Sequence, residues 1–266
     1  AAALSRIPLA LLESNAKMGL ANRLLAPFAK RVYLATEEGK SRATRANAIR
    51  TFGMPIRSGF SPKPYRANRP PRLLILGGSQ GAGALNDRLP MALARTHVEG
   101  LEVVHQAGRD RDAAVRNAYA REKFERVEVV PFLDDIASEI ARADLIIARA
   151  GAGSTAEITA IGRASILVPF PFAADDHQAK NAAALAKRGG CTAIRQEAAD
   201  DVRLALEIDR AFADDIARIK MADAARACGR PRAAQDVAED LAALGGVVTR
   251  PPERTNSASH FHAEAS

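Results

Sequence analysis

The sequence predicts an α/β protein built on a parallel sheet, and three observations lead to that class. Hydrophobic residues make up 47% and charged residues 26% of the 266 residues, which is ordinary for a globular protein and excludes a disordered chain, a collagen and a coiled coil. From residue 72 onward, short apolar runs alternate with stretches of helical length, as in a sheet covered by helices on both faces. Polar or glycine-rich turns follow most of these runs. The predicted strands are 72–76, 101–105, 127–130, 144–148, 165–168 and 192–194.

Helices are predicted between these strands. Pro90 is expected to perturb the first of them, because proline removes a hydrogen bond from a helix interior. From residue 200 the chain is predicted to be helical to about residue 244. The helices predicted before that stretch are 84–94, 109–123, one ending at 143, 154–161 and 178–188.

The region before residue 72 is less regular. It holds a short apolar piece at 7–12, a helix at 21–30 with a kink expected at Pro27, and a buried strand at 31–35. Residues 58–71 contain four prolines and predict a linker. The predicted division is 1–57, the linker 58–71, a domain at 72–228, a helix at 229–245 and a disordered tail at 246–266.

The formal net charge of +7 favours anionic partners such as a phosphorylated substrate or an acidic membrane surface. Nucleic acid is disfavoured, because the sequence has no Trp and only three Tyr to stack on bases. No apolar run approaches the roughly 20 residues that span a bilayer, and no secretory signal is visible. Cys191 and Cys228 are expected to be packing residues, and so few cysteines fit a reducing compartment. The chain begins at Ala1 without a Met, so we expect a processed chain or a piece of a longer one.

Four segments follow predicted strands, where a parallel sheet binds its ligands. In the first, residues 77–83, glycines at the start of a helix let backbone N–H groups approach a phosphate, with Ser79 as a further donor. Its spacing is neither that of a dinucleotide fingerprint nor that of a P-loop. A tight turn without a ligand is the alternative. The second segment, 105–108, contains His105, which is expected to be a structural hydrogen-bonding residue.

The third segment, 149–157, is another glycine-rich turn that leads into a helix. Its Glu157 is a candidate acceptor for the two hydroxyls of a ribose. The alternative is a capping box, in which Ser154 and Glu157 only stabilise the start of their own helix.

The fourth segment, 169–178, has two prolines followed by four polar residues that are suited to the hydroxyls of a sugar: Asp175, Asp176, His177 and Gln178. A metal site is less well supported, because no partner cluster of ligands is evident. The remaining alternative is that Asp175 or Asp176 caps the next helix.

In this order and spacing, these segments strongly resemble the MurG family of UDP-N-acetylglucosamine:undecaprenyl-pyrophosphoryl-N-acetylmuramoyl-pentapeptide N-acetylglucosaminyltransferases. The resemblance is specific over 72–190. It is weaker over 12–19 and 53–57, where Met54 stands in place of the family's Asn. The motifs that carry it are Gly-Gly-Ser-Gln-Gly-Ala at 77–82 with Asn86, His-Gln-x-Gly at 105–108, Phe-Leu-Asp-Asp at 132–135, the segment 149–157, and 168–178 with Asn181.

The resemblance implies a GT-B glycosyltransferase fold, with the C-terminal Rossmann-like domain (72–228) complete as the UDP-N-acetylglucosamine-binding domain. The N-terminal Rossmann-like acceptor domain (1–57) would be partial. The 77–83 turn would contact the diphosphate, Glu157 the ribose and Gln178 the sugar, with Arg149 at the base of the uracil pocket. The substrate-binding residues implied are Asn15, Arg57, Gly78, Ser79, Gln80, Gly81, Arg149, Gly151, Ser154, Glu157, Asp176 and Gln178.

The resemblance further implies an inverting transfer of N-acetylglucosamine from UDP-N-acetylglucosamine to lipid I (undecaprenyl-pyrophosphoryl-MurNAc-pentapeptide), which forms lipid II for peptidoglycan. It implies no cofactor, no metal and no nucleic acid. The expected location is peripheral, at the anionic surface of the inner membrane on its cytoplasmic face. The alternatives are another GT-B UDP-sugar enzyme, such as a glycolipid transferase or an epimerase, and a non-catalytic UDP-sugar-binding protein.

The sequence departs from the family in one respect. The family's first glycine-rich loop, Gly-Gly-Thr-Gly-Gly-His, is absent from these residues, and in the family it supplies the acceptor diphosphate site and the proposed base. We therefore expect the catalytic base to lie upstream of Ala1 and do not expect His105 or Glu13 to replace it. The expectation is a truncated chain that binds UDP-N-acetylglucosamine and is inactive alone as a transferase.

Overall fold

A computed structural model describes residues 7–43, 48–78 and 82–246. Two parallel sheets lie on either side of residues 58–71, which have no helix or strand. We call the part before residue 58 the first unit and the part from residue 72 the second unit.

The second unit is built on a six-stranded sheet in which every neighbouring pair is parallel. Its spatial order is β6-β5-β4-β7-β8-β9. The strands β5 and β6 are added on one side of β4, and β7, β8 and β9 are added on its other side, so the order of the strands switches between β4 and β7. The strands are β4 (Arg72–Leu76), β5 (Glu102–Gln106), β6 (Val127–Val130), β7 (Leu145–Ala148), β8 (Ala164–Leu167) and β9 (Thr192–Ala193).

Helices cover both faces of this sheet, as the alternation of strands and helices predicts. One face packs with Leu85, Leu89 and Leu93, and the other with Ile140, Ile158 and Leu185. These helices are α2 (Gly83–Ala94), α3 (Asp112–Arg121), α4 (Ile136–Arg142), α5 (Ala152–Ile161) and α6 (His177–Lys187).

The first unit contains a three-stranded parallel sheet in the order β1-β2-β3. Its small core includes Met18, Val32 and Leu34. The elements are β1 (Ala10–Glu13), α1 (Leu20–Leu25), β2 (Arg31–Leu34) and β3 (Ile49–Arg50).

Three helices end the described chain: α7 (Asp201–Ala213), α8 (Asp215–Cys228) and α9 (Ala233–Leu244). The last of them returns to the first unit. There Asp240 accepts hydrogen bonds from Arg31 Nε at 2.9 Å and from the Tyr33 hydroxyl at 2.7 Å. The C-terminal helix therefore ties the two units together.

Residues 58–71 are docked on the second unit. The buried Asp144 carboxylate accepts from the Tyr65 hydroxyl, from the backbone and side chain of Asn68, and from the Arg72 backbone N–H. Phe60 packs into the sheet core beside Leu74. The segment predicted as a linker thus holds a fixed position.

The structure refines the predicted secondary structure at four points. The helix predicted at 21–30 ends at Leu25, because Pro27 disfavours a helical residue before it and lies in a short 3-10 turn, Ala26–Phe28. The helix α2 runs through Pro90 without a break, since its buried leucines pack on the sheet. The region predicted to be helical from residue 200 consists of three helices, and one break falls at Asp214, which caps α8. The strands β1 and β3 were not predicted.

No described helix is long and apolar enough to cross a membrane. The tail predicted at 246–266 lies, from residue 247 onward, outside the described residues.

Candidate functional site

Three neighbouring helices begin at the carboxyl edge of the second sheet without a side-chain cap. They are α2, α5 and α6, which follow the adjacent strands β4, β7 and β8, and none has a side-chain hydrogen bond at its N-cap. A helix N-terminus carries partial positive charge and N–H groups that lack a partner within the helix. This edge of the sheet is therefore suited to an anion.

Three other helices of the second unit have a side-chain cap, whereas α3 and α9 have none. Asp135, Asp200 and Asp214 each accept from a backbone N–H in the first turn of α4, α7 and α8. The N-termini of α2, α5 and α6 thus have no side-chain acceptor of their own and are open to a ligand.

The turn between β4 and α2 is held close to the neighbouring strand. The Gly77 N–H donates to the Gln106 carbonyl at 2.9 Å, and a side chain at Gly77 would lie 2.5 Å from that oxygen. Gly78 has φ +73°, a conformation that favours glycine. The remaining predicted residues of this turn, Ser79, Gln80 and Gly81, lie outside the described residues.

Glu157 lies in α5 and faces the first unit. The helix begins at Ala152 with Gly151 as its N-cap, so the capping-box alternative for Ser154 and Glu157 is wrong. The Glu157 side chain is 16% exposed, and its Oε1 is 3.5 Å from Arg57 Nε. Burial raises the pKa of Glu157 above its ordinary value, and the opposing charge of Arg57 offsets part of that shift.

Other residues from the two units also meet here. The Arg57 guanidinium lies 5.5 Å from the centre of the Phe60 ring. The Asn181 amide of α6 donates to Asn15 Oδ1 at 3.2 Å, and Asn181 Oδ1 accepts from the Ala16 backbone N–H at 2.8 Å. The predicted residues Asn15, Arg57 and Glu157 thus all lie where the units face each other.

The fourth segment has a fixed and unusual backbone. Gln178 Oε1 accepts from the Phe170 backbone N–H at 3.0 Å. Asp175 and Asp176 both have positive φ, at 52° and 53°, a strained conformation of the kind that is found at ligand sites. Asp176 is the N-cap residue of α6, as the capping alternative predicts, but its side chain makes no capping hydrogen bond and pairs with Arg195 at 3.1 Å.

Arg149 is bonded to protein acceptors. Its guanidinium donates to the Val168 and Pro169 carbonyls and to Gln196 Oε1, the last at 2.6 Å. It also lies 5.5 Å from the centre of the Phe170 ring. These contacts fix the loop that carries the fourth segment.

His105 and Glu13 are both committed to the fold. His105 is buried between the Tyr119 hydroxyl and Asn86 Oδ1, and burial lowers its pKa to about 3. The Glu13 carboxylate accepts four hydrogen bonds from Asn15, Gly19 and Asn22. Neither group is placed to act as a base. Within the described residues there is also no cluster of three potential metal ligands.

Comparison with known proteins identifies the family. The glycosyltransferase family 28 C-terminal domain matches residues 72–239, which cover the whole second sheet and most of the C-terminal helices. The chain belongs to glycosyltransferase family 28.

The relatives of this family 28 chain include bacterial proteins named UDP-N-acetylglucosamine--N-acetylmuramyl-(pentapeptide) pyrophosphoryl-undecaprenol N-acetylglucosamine transferase. The protein from Sorangium cellulosum is 51% identical over 90% of the chain, which covers 60% of that protein. The protein from Aromatoleum aromaticum is 44% identical, with 91% of the chain and 68% of that protein covered. The chain thus spans about three fifths to two thirds of the length of such relatives.

Solved structures agree with this assignment. MurG from Acinetobacter baumannii is 34% identical with a TM-score of 0.76, covering 90% of the chain and 67% of that structure. The resemblance to the MurG family is therefore confirmed. The calicheamicin glycosyltransferase CalG4 is 18% identical over 91% of the chain and 72% of that structure, with a TM-score of 0.56, and shows the fold alone. The GT-B fold is confirmed.

Two residues of this family 28 chain were passed over as site residues. Asn181 bridges the units, and Gln106 ends β5 beside the glycine turn. Gln106 stands next to His105 in the predicted second segment. A polar residue at the end of a buried strand is the feature of the sequence that could have indicated Gln106.

Proposed function

We propose that the cleft between the two units binds UDP-N-acetylglucosamine. In this proposal the diphosphate lies at the turn before α2, Glu157 accepts the ribose hydroxyls, and Gln178 with Asp176 binds the N-acetylglucosamine. Arg57 and Asn15 approach from the first unit. The uncapped N-termini of α2, α5 and α6 support this assignment, because they supply N–H groups and positive potential without a metal.

The proposed reaction is transfer of N-acetylglucosamine to lipid I. The muramoyl 4-hydroxyl gives its proton to a base and attacks the anomeric carbon, the bond from that carbon to the diphosphate oxygen breaks, and UDP leaves. Attack opposite the leaving group inverts the anomeric centre and gives lipid II.

We propose that the protein works at the cytoplasmic face of the inner membrane, because its net charge of +7 favours binding to an anionic surface.

The position of Glu157 carries this proposal. A mostly buried carboxylate near the start of an uncapped helix, with the cation of Arg57 as its partner among the described residues, leaves acceptor capacity for a ligand with two hydroxyls. Ribose has such a pair, and the relatives are named as transferases that use a uridine diphosphate sugar.

Isothermal titration calorimetry of the chain with UDP-N-acetylglucosamine tests this function. We expect binding that UDP-glucose and ADP-glucose do not match, together with a loss of affinity in Glu157→Gln. A chain that binds none of these nucleotides, or binds all of them equally, would contradict the proposal. A radiolabelled assay for conversion of lipid I to lipid II then tests the transfer, with a relative that covers the full length as the positive control.

A further inference from the structure

A groove between α5 and α6 leads away from the carboxyl edge of the second sheet, and the first unit forms its third wall. We call it the α5–α6 groove. It encloses about 770 Å³, part of which is open to solvent. Its lining positions recur every three or four residues along each helix, so they share one face of that helix. They include Ala152, Thr155 and Ala156 on α5 and Asn181, Ala184 and Arg188 along α6.

The groove begins beside the group assigned to the donor sugar and is not lined by it. Asn181 lies three residues after Gln178 on α6, which is about 5 Å or one helical turn. At the other end, Arg188 pairs with Glu38 of the first unit at 2.9 Å. The groove therefore runs from the donor site along the boundary between the two units.

Most of the wall formed by the two helices is apolar and small. The alanines at 152, 156 and 184 extend least from their helices and leave width for the main chain of a ligand. Ligand sites are typically concavities of about 300–1,000 Å³ with a few polar groups among apolar ones. The α5–α6 groove has this character.

A buried hydroxyl without a partner lies in this wall. Thr155 Oγ1 has no hydrogen-bond partner among the described residues. The hydroxyls of Thr36 and Thr51, on the wall from the first unit, differ because the carboxylates of Glu38 and Glu37 stand beside them. A hydroxyl can both donate and accept. The Thr155 hydroxyl is thus available to a carbonyl or an N–H group of a ligand.

The far end of the groove carries a cation without a carboxylate partner. Arg230 Nη1 donates to the Ala227 and Gly229 carbonyls, and its guanidinium has no carboxylate partner in the part of the chain that the structure describes. It lies at the Arg188 end, because Cys228, two residues earlier, contacts Arg188. A guanidinium has five N–H donors and binds a carboxylate strongly. This end of the groove therefore suits a carboxylate.

The length of the groove matches a short peptide. Gln178 and Arg188 are ten positions apart along α6, which corresponds to about 15 Å. Five extended residues span about 17 Å. The acceptor of the proposed reaction carries a pentapeptide on its muramoyl group, and that group has to meet the donor sugar near Gln178. A pentapeptide that starts there reaches the cation at the far end with its C-terminus.

We propose that the α5–α6 groove binds the pentapeptide of the acceptor in an extended conformation, with the peptide backbone at Thr155 and the C-terminal carboxylate at Arg230. This inference rests on the proposed function, because that function makes a muramoyl pentapeptide the acceptor. Binding of the peptide would position the muramoyl 4-hydroxyl against the anomeric carbon, as transfer between two bound substrates requires.

Calorimetry of the chain with soluble muramoyl-pentapeptide and with its C-terminal amide tests this assignment. We expect wild-type protein to bind the acid about 10-fold more tightly than the amide, as for a hydrogen bond to a charged group. Arg230→Gln should weaken binding of the acid by about 10-fold and leave binding of the amide nearly unchanged. The matched control is Arg232→Gln, because Arg232 is 67% exposed and pairs with Asp236. The control should behave as wild type.

Thr155→Val is the second variant, because it keeps the shape of the side chain and removes the hydroxyl. It should weaken the acid and the amide alike, by about fivefold, since its contact is to the peptide backbone. This variant and the wild-type preference for the acid test the proposal even if Arg230→Gln fails to fold by circular dichroism. Equal wild-type affinities for acid and amide, or an unchanged affinity of Arg230→Gln for the acid, would overturn it.

Two further ligands separate this inference from others. If the free pentapeptide binds as tightly as muramoyl-pentapeptide, the groove takes a free peptide and the assignment to the acceptor is wrong. Wild-type protein that binds UDP-N-acetylglucosamine but not muramoyl-pentapeptide would overturn this inference alone. Wild-type protein that binds muramoyl-pentapeptide with the expected preference, but not UDP-N-acetylglucosamine, would support the groove and reject the proposed donor.

Discussion

Two glutamates lie at the cleft on opposite units, and they differ in the hydrogen-bond donors that the chain supplies to each of them. Glu13 of the first unit is 4% exposed and accepts four hydrogen bonds within a ten-residue segment. Glu157 of the second unit is partly buried, with a side chain 16% exposed, and among the described residues its partner is one guanidinium at 3.5 Å. Burial alone therefore does not distinguish a ligand-binding carboxylate from a structural one.

The difference lies in acceptor capacity. An ionised carboxylate has about four sites for donors. The donors from Asn15, Gly19 and Asn22 occupy those of Glu13, and they fix the loop before α1. Glu157 retains most of its sites for a ligand. Replacement of glutamate by glutamine should therefore lower the stability of the protein at Glu13 and weaken ligand binding at Glu157.

The largest effect is expected for Glu13→Gln. The new amide group would direct its own donors at the N–H groups of Gly19 and Asn22, so buried donors would lose their acceptor. We expect the free energy of unfolding to fall by about 3 kcal/mol. Urea denaturation monitored by circular dichroism measures this change. A stability within about 0.5 kcal/mol of wild type, the usual range for a surface change, would show that Glu13 is not structural.

Part of this contrast could be predicted from the sequence. The apolar runs located the strands β4 and β6 to the residue, and the glycine turns located the carboxyl edge and Glu157. The partners of Glu13 could not be predicted, because β1 has four residues and no clear alternation of polar and apolar side chains.

Contacts between the units were also beyond the sequence. Asn181 contacts the loop after β1 from 165 residues away, and Asp240 reaches Arg31 across 209 residues. No periodicity encodes such a contact, because it depends on how two separately formed sheets pack. The Gln106 side chain was missed for a related reason, since an unsatisfied acceptor is visible only when its surroundings are known.

A smaller effect on stability and a clear effect on binding are expected for Glu157→Gln. The affinity for UDP-N-acetylglucosamine should fall by roughly 10- to 100-fold, as for the loss of hydrogen bonds to a charged group. Stability should not fall. The pKa of Glu157 is raised in the folded state, so the ionised group reduces the free energy of unfolding as the pH rises through that window. Calorimetry measures the affinity and urea denaturation measures the stability of the same samples. A large loss of stability with unchanged affinity would show that Glu157 is a structural residue and not a ligand-binding one.

The pH dependence of binding gives a further contrast. As the pH falls, Glu157 takes up a proton and UDP-N-acetylglucosamine binding should weaken. Because the pKa of Glu157 is raised, this weakening should begin at a higher pH than the one at which an ordinary glutamate titrates. His105 does not produce this change, since its pKa of about 3 keeps it neutral through the range. Affinity measured from pH 4 to 8 should show the decline in wild type and not in Glu157→Gln. The same decline in both proteins would assign it to another group.

The smallest effect is expected for Arg57→Gln, which tests whether the one described partner of Glu157 tunes that carboxylate. Arg57 lowers the pKa of Glu157 against the larger effect of burial, and its own side chain is 56% exposed, so solvent screens the interaction. Its removal should move the decline in binding to higher pH and weaken binding at pH 7 by about threefold. Arg57→Lys, which keeps the charge, should lie between this variant and wild type. If Arg57→Gln weakens binding equally at every pH, then Arg57 contacts the ligand directly and does not act through Glu157.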